Sequence, residues 1–80
     1  MHHYDFEFLR DCRKLAGLTI AELAQRAGIH EVTLARIEGG LRCTPDTLRR
    51  IVGATIDALD ERETAISKAL SKLRSRNRAA

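Results

Sequence analysis

The chain of 80 residues has no tryptophan, one tyrosine, two phenylalanines, one proline and two cysteines. With so few aromatics and no alternating run of β-branched residues, the sequence gives no basis for a sheet. The two cysteines and three histidines include no Cys-x-x-Cys or His-x-x-x-His pair, so no metal site is expected. A secreted scaffold this small would carry more disulfides, so free thiols and a cytoplasmic location are expected. Uncharged stretches such as Ala16 to Ala21 are far shorter than the roughly 20 apolar residues of a membrane span, so no membrane association is expected. Asp5, Glu7 and Arg10 interrupt any N-terminal apolar run, so no secretory signal is expected. No serine or cysteine has an evident histidine base, and there is no glycine-rich phosphate loop or recognisable carboxylate pair. The size also excludes a cofactor domain beside a substrate domain. The expectation is a non-enzyme without cofactors.

What is present is helical spacing and an uneven charge. Leucine, isoleucine, valine and phenylalanine make up 20 of the 80 residues, enough for a thin core. The net charge is +3, but its distribution is asymmetric. Residues 56–67 carry four acids and one base, whereas residues 68–80 carry five bases and no acid. Basic tails bind polyanions or stay solvated.

The spacing of apolar residues reads as all-α, with five helices. The first is expected from Asp5, its N-cap, to Leu15, with an inner face of Phe8, Cys12 and Leu15 flanked by Leu9 and Ala16. Gly17 suits its C-terminal turn. The second opens on Thr19-x-x-Glu22, a capping box, carries Leu23, Ala24 and Ala27 inward, and ends at Gly28. The third begins near His30, points Leu34 and Ile37 inward, and ends at Gly39-Gly40. Its outer face then holds Glu31, Val32, Thr33, Ala35 and Arg36, a mixture unlike a purely solvated face. The fourth starts at Thr44-Pro45-Asp46, with Leu48, Ile51, Val52 and Ile56 as its stripe and Gly53 as a weak point. A fifth, longer helix is expected from Asp57 or Asp60, where Asp60-x-x-Glu63 resembles a second capping box. There Leu59, Ile66 and Leu73 recur every seven residues beside Ala69 and Leu70, with acids at the start and bases at the end, as a helix dipole prefers. Residues 74–80 are expected to fray. The division expected is one domain over 1–80: a core at 5–56, a C-terminal helix at 57–75 and a basic tail at 76–80.

Two short helices joined tightly at Ala27-Gly28-Ile29-His30, with small Ala24 at their crossing, have the grammar of a helix-turn-helix. The stretch from Gly17 through Ile29, followed by Leu34, Ile37, Glu38 and Gly40 and then Pro45, Thr47 and Leu48, resembles the lambda repressor/Cro-like (XRE) DNA-binding family. The resemblance covers about residues 6–55. It implies a five-helix domain that lays its third helix in the major groove of double-stranded DNA. Carried over by position, the base-reading residues are Glu31, Val32, Thr33 and Arg36. Arginine can grip guanine in two places, glutamate can accept from cytosine, and the Val32 and Thr33 methyls can meet thymine. Phosphate contacts are expected from the start of the second helix at Thr19 and Ile20, from His30, and from Arg42 and Thr44 in the following loop. Ile20 departs from the glutamine that the family often has there, so a backbone contact or an apolar protein contact replaces a side-chain grip. Arg13 and Glu38 match a structural ion pair of the family. Cys12 reads as core and Cys43 as an idle loop thiol, while His2 and His3 are given no role.

The resemblance implies a bacterial or phage-encoded, nucleoid-associated regulator, a repressor acting as a homodimer. Leu59, Ile66, Ala69, Leu70 and Leu73 are expected to form the dimer interface. The alternative for this stripe is that it caps the same chain's core. A rival function is a protein-interaction module or antitoxin on the same fold, binding a protein partner such as a toxin. With no room for a separate sensing domain, regulation is expected from concentration, a partner or proteolysis.

Overall fold

The computed structural model describes residues 6–79. Among them are four helices and no strand: α1 Phe6–Leu15, α2 Ile20–Ala27, α3 Glu31–Glu38 and α4 Pro45–Ala79. The Asp5 cap expected for α1 lies outside the described residues.

The fourth and fifth helices expected from sequence are one helix of 35 residues. Gly53 costs only about 1 kcal/mol within a helix. That cost is set against the burial of Ile51, Ala54, Thr55 and Ala58 on both sides of it. The Thr55 hydroxyl donates to the Ile51 carbonyl at 2.7 Å, one turn back, and so stays satisfied inside the helix. Asp60 and Glu63 lie in mid-helix, where no unpaired first-turn N–H exists for a capping box to serve. The helix also takes in the segment expected to fray, as far as Ala79.

The helix ends follow local chemistry. Thr19 Oγ1 accepts from the Glu22 N–H at 3.1 Å, and the Thr19 N–H donates to Glu22 Oε1 at 2.9 Å. The Thr19 N–H first, and the Thr19 hydroxyl beside it, hold the Glu22 carboxyl below its ordinary pKa. At the other end Gly28 takes φ 70°, and the Ile29 N–H closes back on the Ala24 carbonyl at 3.0 Å. A side chain at Gly28 would strain that left-handed turn. Gly17, at φ 75°, repeats the arrangement after α1, with the Leu18 N–H donating to the Arg13 carbonyl. Thr44 Oγ1 accepts the Thr47 N–H at 3.2 Å and opens α4 ahead of Pro45.

The core is small. Leu23, Ala24, Ala27, Leu34, Ile37, Ile51 and Ala54 form its buried cluster, with Phe6, Leu18, Ile20, Ile29 and Cys43 packed around it. Each of Leu23, Leu34, Ile37 and Ile51 contributes about 1.5–3 kcal/mol by burial. Helices α3 and α4 each pack on α1 and α2.

Two faces differ from expectation. On α1 the buried residues are Leu9 and Arg13, with Ala16 buried just past its end, whereas Phe8 and Leu15 are 60 % and 66 % exposed. The helix is turned so that an arginine occupies an inward place. On α4 the buried residues are Ile51, Ala54, Thr55 and Ala58, and Ile56 faces outward. Past Leu59 every described residue of α4 is exposed. Beyond the Glu61–Arg26 pair the helix from Glu63 to Ala79 reaches about 25 Å past the core. It raises the radius of gyration to 16.0 Å, against about 12 Å for a compact chain of this length.

Candidate nucleic-acid interface

Helix α3 is held from beneath by Leu34 and Ile37, both fully buried. At 100° per residue that leaves Glu31, Val32, Thr33 and Arg36 on its outer side, and all four are exposed. His30 caps the helix: its Nδ1 accepts from the Val32 N–H at 3.2 Å. In the neutral ring the proton then sits on Nε2, leaving a donor available to an anion.

The start of α2 offers a second group of donors. The capping box uses the Thr19 and Glu22 N–H groups. The N–H groups of Ile20 and Ala21 have no intrahelical acceptor, because they belong to the first turn. The Ile20 side chain packs against the core. A phosphate can therefore meet this residue only through its backbone.

Arg42 is exposed in the loop between α3 and α4. Thr44 is exposed too, but its hydroxyl proton goes to Thr47 Oγ1 at 2.9 Å while its oxygen caps α4. That leaves it a structural task at the helix start. Cys43, expected as an idle loop thiol, is half-buried and packs on the core, and both cysteines are free thiols.

A buried ion pair holds α3 against α1. Arg13 donates through Nε to Glu38 Oε2 at 2.8 Å and through Nη2 to Glu38 Oε1 at 3.0 Å. Its Nη1 donates to the Leu18 carbonyl at 2.9 Å. The two side chains are only 10 % and 6 % exposed. Each of the three guanidinium nitrogens donates inside the protein and the side chain is buried, so Arg13 fixes the pose of α3 and has no reach to a ligand.

Sequence reading missed Arg50. Its Nη1 lies near Gly28, at the turn leading into α3, and its Nε pairs with Asp46 Oδ2 at 3.2 Å. Arg49 pairs with the same carboxylate at 3.5 Å. Such exposed pairs are weak, so both guanidiniums remain available to a stronger anion. The signal was the Arg49-Arg50 doublet one turn after the α4 cap. The outer side of α3, the loop after it and the first turns of α4 thus carry Arg36, Arg42, Arg49 and Arg50 against Glu31 and Asp46.

A family profile described as a helix-turn-helix domain matches residues 7–65. The chain belongs to the helix-turn-helix domain family. No curated protein and no solved structure matches it. The matched span runs from α1 through the middle of α4 and contains every residue of the interface described above. Helix-turn-helix domains bind DNA and serve transcription regulation, and α2 and α3, joined at Gly28, have the arrangement of that motif. Among the described residues no helix is long and apolar enough to cross a membrane.

Leu59, Ile66, Ala69, Leu70 and Leu73 fall along α4. Leu59 is half-buried, while Ile66, Leu70 and Leu73 are 52 %, 43 % and 62 % exposed. The stripe does not fold back onto its own core, which removes the alternative that it serves as a cap for this chain.

Proposed function

We propose that this helix-turn-helix protein is a sequence-specific, double-stranded DNA-binding repressor that occupies an inverted-repeat operator as a homodimer. The supporting observation is the outer side of α3. Glu31, Val32, Thr33 and Arg36 stand exposed on a helix whose pose is fixed by a buried ion pair. In this reading those four side chains meet base edges. The backbone N–H groups of Ile20 and Ala21 beside the Thr19 cap, with His30, Arg42 and Arg50, meet phosphates, while Thr44 stays with the α4 cap. The arrangement is lambda repressor/Cro-like, with a core at 5–56 and a C-terminal helix that supplies the dimer contact through Leu59, Ile66, Ala69, Leu70 and Leu73. Repression needs no further part, because a protein seated on an operator excludes polymerase by bulk. The protein acts in the cytoplasm, on the nucleoid.

Selection of random duplexes by the purified protein, followed by sequencing, tests this proposal. The expected result is an inverted repeat with half-sites about 34 Å apart, or a whole number of helical turns. Recovery of no enriched sequence overturns it.

A second reading is favoured by one observation: Phe8 and Leu15 lie on the same face of α1 and are both exposed. Two large apolar groups seven residues apart suit a protein partner such as a toxin, which would make the protein an antitoxin.

A further inference from the structure

Helix α4 carries two features that the fold of one chain leaves unexplained. The first is its apolar seam. From Leu59 onward the positions 59, 63, 66, 70, 73 and 77 follow steps of four and three, a 3.5-residue period, and hold Leu, Glu, Ile, Leu, Leu and Asn. This seam lies roughly 100° around the helix from Ala58, which faces the core.

The second is charge. Residues 57–63 contain Asp57, Asp60, Glu61 and Glu63 against Arg62, a net of −3. Residues 68–78 contain Lys68, Lys72, Arg74, Arg76 and Arg78 and no acid, a net of +5. Were a helix to begin at Asp57 or Asp60, its dipole would account for the acids. The helix begins at Pro45, more than two turns earlier, and the dipole acts only within the first turn. Glu61 is taken by Arg26 of α2 at 2.7 Å. Asp57 adds to the negative field around the same Arg26 without pairing with it, and Asp60 and Glu63 meet no opposite charge from another helix among the ion pairs of the described residues.

We propose that the α4 extensions of two copies pair antiparallel, the acidic segment of each lying against the basic segment of the other. This deepens the homodimer reading above and rests on it. Antiparallel pairing sets residues 57–63, net −3, against residues 73–79, net +3, at both ends, whereas parallel pairing sets like charge against like at both. The seam gives the same answer. A parallel, in-register pair brings Glu63 against its own copy in the apolar interface. An antiparallel pair centred between Ile66 and Leu70 sets Ile66 of each chain against Leu70 of the other. Glu63 then falls opposite Leu73 of the mate, beside its Arg74 and Arg76. The two-fold axis runs across the helices, and the two helix-turn-helix units lie at opposite ends of the pair.

Sedimentation of charge variants tests the proposal. Lys72→Glu with Arg74→Glu and Arg76→Glu makes the whole extension acidic and is expected to weaken self-association at least tenfold. Adding Asp60→Lys and Glu63→Lys to that variant sets +1 on residues 57–63 against −1 on residues 73–79 and is expected to recover part of the lost association, at least about threefold over the all-acidic variant. The sense is read directly by oxidative cross-linking in a Cys12→Ala, Cys43→Ala background that sediments as wild type. A mixture of Glu63→Cys and Leu73→Cys proteins is expected to form a mixed dimer, while Glu63→Cys alone forms little. Self-cross-linking of Glu63→Cys, an unchanged all-acidic variant, or a monomeric wild type at tens of micromolar overturns the proposal. Binding to a pool of random duplexes is measured on the same samples. A monomer that still selects sequence overturns the pairing and leaves DNA recognition intact. An antiparallel dimer that selects none does the reverse.

Discussion

Removing Arg13 is expected to unfold much of the protein's stability margin while leaving its sequence preference alone. In Arg13→Ala, Glu38 is left as a carboxylate that is 6 % exposed and has lost both of its donors. Stranding one member of a buried pair costs about 3–5 kcal/mol. The Leu18 carbonyl also loses its donor, worth on the order of 1 kcal/mol. A chain of this length has about 4–12 kcal/mol in all. At about 4–8 °C per kcal/mol, the melting temperature should fall by about 15–45 °C, read by circular dichroism. Arg13→Met with Glu38→Leu removes both charges and should recover most of the loss, because nothing is stranded. Below its melting point, Arg13→Ala should prefer the same duplexes as wild type. A melting temperature within about 2 °C of wild type, or a changed base preference, would refute the reasoning.

Four further outcomes are expected. Arg36→Ala should weaken specific binding by about 1–3 kcal/mol and relax preference at one position in each half-site, measured on single-base variants of the selected duplex; a uniform loss would make Arg36 a phosphate contact. Gly53→Ala should stabilise α4 by about 0.5–1 kcal/mol, seen as a rise of a few degrees in melting temperature, since the added methyl meets nothing within 4 Å and the residue has no positive φ. Glu22, with its pKa held down by Thr19, contributes stability above the unfolded-state carboxyl pKa and loses it as pH falls through the lower folded value. Glu22→Gln should therefore melt below wild type at neutral pH and converge with it in acid. Ile66→Lys with Leu70→Lys should stay folded, because both residues are exposed, yet sediment at half the wild-type mass and lose tight operator binding.

Helices α2 and α3 were legible because their signals are local. A capping box, a glycine in a left-handed turn and a glycine pair mark ends through chemistry that acts within one turn of backbone. The outer residues of α3 followed once Leu34 and Ile37 were placed inward. The α1 face was misread because an apolar pattern counts arginine as outward. Arg13 is inward, since Glu38, 25 positions away, supplies its partner. The apolar count alone, without the ion pair expected from the resemblance, made Phe8 and Leu15 look like core. The break between a fourth and a fifth helix was misread for the opposite reason. Gly53 and Asp60-x-x-Glu63 are local stop and start signals, but the packing of Ile51 and Ala58 on either side carries the helix through them. Arg50 was invisible because its position beside Gly28 depends on how α4 crosses the turn before α3.

The account's central claim is that the outer side of α3 reads DNA. Amide chemical shifts of labelled protein, recorded as a selected duplex is added, test it most directly. The largest changes are predicted at residues 30–36 and at 19–21, smaller ones at Arg42 and Arg50, and none along the outer face of α1. Changes confined to α1 or to the far half of α4, with residues 30–36 unmoved, would contradict it.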